Sequence, residues 1–150
     1  HRFIDSDSFK GKFPLAHRKW SEAVEILWSE KADLSVTTIG HICRDCVQIF
    51  VEELLEQFPT PDCSSEKQLT KARLQAILEK HGKTRSVSAS DVLKALHVYF
   101  CCVVDLIQRQ EHGALKEGES LVWEDSRRVV FQTMIVLYEI DRCLSQPVPS

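Results

Sequence analysis

The chain has 150 residues, a net charge of −3, 43% hydrophobic residues and 27% charged ones. That is enough for one domain with a buried core, and too apolar for disorder. The charge excludes a global basic field for holding nucleic acid non-specifically, although a local basic patch remains compatible with it.

No apolar run comes near the roughly 20 residues of a membrane span, so no membrane is expected among the partners. The opening His1-Arg-Phe-Ile-Asp5 has no long apolar segment behind its basic residues, which argues against a secretory signal there. The first residue is not Met, so a presequence or an upstream domain stays open. Of six cysteines, Cys101 and Cys102 are adjacent and Cys43 and Cys46 lie one helical turn apart. That placement fits buried thiols in a reducing, cytoplasmic setting better than three disulfides.

In chain order, residues 1–17 are polar and broken by Gly11 and Pro14, which predicts an irregular arm pinned to the body by Phe3, Phe9 and Phe13. A first helix is predicted from Arg18 to Lys31, with Trp20, Ala23, Val24 and Leu27 at helical spacing. The second, Ser35 to Phe58, has the clearest pattern. Ile39, Ile42, Cys43, Cys46, Val47, Phe50, Val51, Leu54, Leu55 and Phe58 form one apolar stripe, which Pro59 and Pro61 end. Because Cys43 and Cys46 both fall on that stripe and no second pair exists, core packing explains them better than zinc or redox chemistry.

Ser65 with Gln68 forms a capping-box pattern for a third helix that runs to His81 and stops at Gly82. After the polar loop 83–88, Ser88 with Asp91 opens a fourth helix, Ala89 to Glu111. It is apolar nearly all round from Val98 to Val104, which predicts a central position. An exposed loop, His112 to Leu121, leads to a fifth helix, Val122 to Ser145, and a frayed tail, 146–150. Helices joined by short loops, with no alternating pattern, predict an all-α five-helix up-and-down bundle over 18–145, its last two helices antiparallel at the centre.

Asp105, Arg109 and His112 fall at i, i+4 and i+7, one polar stripe at the end of the most apolar helix. One reading is an Asp105–Arg109 ion pair with His112 favoured by the helix C-terminus. The other is an exposed histidine working as acid or base beside an arginine that holds an anion. His41 and Arg44 repeat the pairing on the second helix, as a solvated flank or as part of a shared cleft. Arg127 and Arg128 follow Trp123-Glu-Asp125 and should lie near His112; a Glu124–Arg128 pair is the structural alternative. No phosphate loop, nucleophile elbow or metal-spaced His/carboxylate pair occurs, so no cofactor or metal is called for.

Arg109-Gln110-Glu-His112-Gly113, set between two apolar helices, resembles the signature of the HEPN superfamily of prokaryotic conflict systems. The stretches Ile39-Gly-His-Ile-Cys-Arg44-Asp and Trp123-Glu-Asp-Ser-Arg-Arg-Val-Val-Phe-Gln-Thr133 are also similar to small helical proteins of bacterial antiviral defence loci. Catalytic HEPN domains are metal-independent ribonucleases that work as dimers. The resemblance implies Arg109 at the scissile phosphate, His112 in proton transfer and Gln110 at the polar position. In catalytic members the histidine stands four to six positions beyond the arginine; here only Gln110 and Glu111 separate them. Many HEPN-like domains are non-catalytic dimerisation or sensing modules. The expectation is such an interaction module, binding a second copy or a partner encoded nearby. A ribonuclease acting on RNA through Arg109 and His112 is one alternative, and a nucleotide or anion sensor using Arg109, Arg127 and Arg128 another.

Overall fold

The computed structural model describes residues 6–82, 86–113, 118 and 120–145, and it is all-α, with no strand among the described residues. Six α-helices follow one another: α1 Ser6–Lys12, α2 Pro14–Leu27, α3 Val36–Gln57, α4 Thr70–Gly82, α5 Val87–Glu111 and α6 Trp123–Leu144. A short 3-10 turn, Ala32–Leu34, connects α2 to α3.

The arm predicted to be irregular over 1–17 is helical where it is described. Phe9 and Phe13 lie one turn apart, both fully buried, and meet Phe50 of α3 with ring centroids 6.1 and 4.7 Å away. Burying each ring contributes roughly 1.5–3 kcal/mol, enough to hold a seven-residue helix that would not form alone. Pro14 then starts α2 at a position where its missing N–H costs nothing. Lys12 Nζ pairs with the buried Asp141 of α6 at 3.2 Å. The expected anchor Phe3, the tail 146–150 and parts of the loops after α4 and α5 lie outside the described residues.

α3 is the central helix: it packs against α2, α4, α5 and α6, and its buried residues repeat the predicted stripe from Ile39 to Leu54. The expected central position of Val87–Glu111 is corrected. Only 17% of its most apolar 18-residue window is buried, and Val87, Val92 and Val98 are exposed. Its apolarity comes from a second face that no other helix covers among the described residues. By length and composition α5 could cross a membrane, with a mean hydropathy of 1.5 in that window.

Contacts along the helices give their directions. Glu53 meets Leu15 and Ala16, so α2 and α3 are antiparallel about their hydrogen-bonded ends. Arg109 meets Asp125 while Tyr99 meets Gln132, so α5 and α6 are antiparallel, as predicted. Between α3 and α4 the order differs: Glu52 meets Arg73 and Phe58 meets His81, both rising together. These two helices are parallel, and the up-and-down alternation with five helices does not hold. The connection 58–69 carries the chain back along α3, a run whose turns are closed by Ser64 Oγ accepting from Glu66 N at 3.2 Å.

Two caps also differ from prediction. Ser86, not Ser88, caps α5, its Oγ accepting from Ala89 N at 3.2 Å. α4 begins at Thr70 rather than near Ser65. Gly82 is its last residue; a Cβ there would stand 3.1 Å from Leu93 Cδ1, so it serves close packing.

Candidate functional site

The last turn of α5 reaches the N-terminal ends of α3 and α6, and three consecutive side chains tie these ends together. Arg109 Nη1 donates to Asp125 Oδ1 at 3.4 Å. The same carboxylate accepts from Val122 N at 2.9 Å, closing the first turn of α6. Gln110 is fully buried; its Nε2 donates to Val36 O at 3.1 Å and to Ser126 Oγ at 2.9 Å, bridging α3 and α6. Its Oε1 is buried with no partner among the described residues. Glu111 turns to α3, where its carboxylate accepts from Arg44 Nη1 at 2.9 Å and lies 3.0 Å from His41 Nδ1.

Gly113 ends the helix as its sequence position predicts. Its φ of +62° is a left-handed conformation that glycine adopts without strain, and its N–H returns to Gln110 O at 3.2 Å.

Arg109 and His112 meet different neighbours, although they are only three residues apart. Arg109 faces α6, whereas His112, exposed at the helix end, lines a groove between α3, α4 and α5. The groove holds about 510 Å³. Its floor includes Val47, Val104 and Ile107, and Arg44, Lys71 and His112 bring cationic or titratable groups to its rim. Of the sequence candidates, His41, Arg44 and His112 gather around Glu111 and this groove.

The others go elsewhere. Asp105 was expected to pair with Arg109; it is 63% exposed and pairs with Lys71 of α4 at 2.6 Å. Its hydrogen bond raises the Lys71 pKa. The expected Glu124–Arg128 pair is replaced by Glu124–Arg127, with Arg127 Nε 2.9 Å from both carboxylate oxygens. That contact holds the Glu124 carboxyl below its ordinary value, and Arg128 is exposed.

Cys43 and Cys46 are buried free thiols. Burial pushes Cys43 up to about 12 and Cys46 well above its ordinary value, so neither is poised as a nucleophile. Among the described residues no three His, Cys, Asp or Glu side chains gather so as to hold a metal ion.

Glu111, Asp125 and Lys71 were not singled out from sequence. Glu111 is the pivotal one, and the available signal was Gly40, a glycine set in the apolar stripe of a long helix. No family model, curated protein or solved structure matches this chain.

Proposed function

We propose that the chain is a non-catalytic, HEPN-like helical interaction and dimerisation module of a bacterial defence or toxin system, working in the cytoplasm. The observation that carries the non-catalytic part is the use of the signature residues. Arg109, Gln110 and Glu111 bind Asp125, Val36 with Ser126, and Arg44 with His41. Arg109 is engaged by the Asp125 carboxylate of α6 while His112 lies on the groove between α3, α4 and α5, which supports a reading in which the two do not work as a pair around one phosphate. The uncovered apolar face of α5 supports an interaction role, because an exposed apolar face of this kind marks a docking surface.

One further reading has an observation in its favour. The groove rimmed by Arg44, Lys71 and His112 would suit a small anion or nucleotide, which makes the chain a sensor; it uses these residues rather than Arg127 and Arg128. The HEPN-type ribonuclease reading remains the alternative that a cleavage assay decides.

Affinity capture of the full chain from its native host, quantified by mass spectrometry, tests the module together with sedimentation velocity. A self-associating chain or one stoichiometric partner is the expected result. A monomer that retrieves nothing, yet binds nucleotides in calorimetry, would replace the module with the sensor.

A further inference from the structure

Asp91, Ala95, Val98, Cys102 and Asp105 on the uncovered face of α5, and Arg109 at its edge beside α6, follow one another at steps of four and three, the spacing of a coiled-coil seam. Five of the six are exposed, Val98 at 63%; Arg109 is half-buried. Over these residues the seam is about 27 Å long.

Its order has a particular symmetry. Reversing the direction of the helix about a point midway between Val98 and Cys102 carries the six positions onto one another: Asp91 onto Arg109, Ala95 onto Asp105 and Val98 onto Cys102. We infer that this face docks a second copy of the chain, the two α5 helices crossing antiparallel about that point.

Charge selects both the partner and the direction. Antiparallel packing sets Asp91 against the partner's Arg109 twice and places each Asp105 opposite an alanine. A parallel arrangement would bring Asp91, Asp105 and Arg109 each against its own copy, three like-charge contacts that cost stability. A surface that is its own complement under a two-fold axis is what a closed dimer requires. Arg109 keeps Asp125 in this arrangement, since a guanidinium carries five donors, and Asp105 keeps Lys71. Val98 and Cys102 at the centre bury the apolar surface, flanked by Val92, Tyr99 and Leu106 on the same side of the helix.

This inference rests on the dimerisation reading above and names the surface that would perform it. Sedimentation velocity of the full chain over about 1–100 μM should show a reversible dimer at twice the 17.2 kDa of the chain. Val98→Glu buries two carboxylates against each other's apolar centre and should weaken the dimer at least about tenfold. Because Val98 is exposed in the single chain, its circular dichroism and melting curve should stay unchanged. Asp91→Arg, which sets arginine against arginine, should weaken it in the same direction.

Val98→Cys should give a covalent dimer with diamide, which takes up the two thiol hydrogens as the introduced sulfur bonds to the partner's Cys102. Adding Cys102→Ser should abolish that bond. A dimer indifferent to Val98→Glu, with no such disulfide, would overturn the seam while leaving an interaction module that uses another face. A monomer at every concentration would overturn it too, and so would a monomer that floats with phosphatidylcholine/phosphatidylglycerol vesicles through Val98, which would give α5 to a membrane. RNA cleavage by a dimer that Val98→Glu does break would sink the non-catalytic reading and leave the seam standing.

Discussion

Gly40 of α3 lies in backbone contact with Glu111 of α5: a Cβ on Gly40 would stand 2.6 Å from Glu111 N and 2.9 Å from Gln110 C. This is the approach that brings the end of α5 onto the start of α3. It lets the Glu111 carboxylate reach His41 and Arg44, one and four residues beyond the glycine.

Gly40→Ala sets two effects against each other. Alanine is the better helix former by about 1 kcal/mol, but its methyl would meet backbone, which cannot rotate away. The clash wins, and a net destabilisation of about 1–3 kcal/mol is expected. Thermal unfolding checks it; a stabilised variant would mean that α3 and α5 are further apart than described.

Glu111 and Asp105 are both carboxylates paired with cations on α5, and their environments separate them. The Glu111 side chain is 9% exposed and serves two partners; Asp105 is 63% exposed with one. Glu111→Gln should cost about 1–3 kcal/mol because Arg44 and His41 then face a neutral amide oxygen in place of the desolvated carboxylate. Asp105→Asn should cost less than about 1 kcal/mol. Urea denaturation of the two variants gives the ratio, and equal losses would contradict the assignment of Glu111 as the tie between α3 and α5.

Glu53 does for α2 what no neighbouring side chain does. Phe13 offers no capping oxygen, and the buried Glu53 carboxylate accepts from Ala16 N at 2.8 Å and Leu15 N at 3.3 Å. A carboxylate at a helix N-terminus is also favoured by the helix dipole. Glu53→Ala should therefore destabilise by roughly 2–3 kcal/mol, leaving two amides without an acceptor. Glu53→Gln keeps an oxygen and should lose less. Chemical denaturation distinguishes them.

The six thiols should divide by burial. Alkylation of the native chain near pH 8 should mark the exposed Cys102 first, and Cys43 and Cys46 only on unfolding. With Cys43 at about 12, its thiolate fraction at that pH is negligible even where reagent penetrates. Peptide mapping after timed labelling reads the order. Early modification of Cys43 would show an α3 face that opens in the native state.

Helix type and the α3 stripe were legible because periodicity reports directly on which side is buried. From Ile39 to Leu54 the apolar stripe and the buried residues agree closely. The same signal misled at α5, since an apolar residue does not say whether another helix or another molecule covers it; Val98 reads alike in both cases. The arm 1–17 was misread because Gly11 and Pro14 are breakers in isolation, whereas Phe9 and Phe13 fix the helix through Phe50, far along the chain. At the site, Arg109 and His112 were visible by type. Their partners were not, because Asp125, Lys71 and Glu111 meet them or their neighbours only through tertiary packing. Local spacing suggested Asp105–Arg109 and Glu124–Arg128; instead Asp125, from the next helix, takes Arg109, and Glu124 takes Arg127 at i+3.

Arg109, Gln110 and Glu111 hold three helix ends together, and the proposed non-catalytic reading follows from that use. Incubating the purified full chain with labelled single-stranded and structured RNA in EDTA, beside His112→Ala, tests this most directly. On the proposed reading the RNA stays intact with both proteins. EDTA-resistant cleavage that His112→Ala abolishes, with the fold unchanged by circular dichroism, would contradict it.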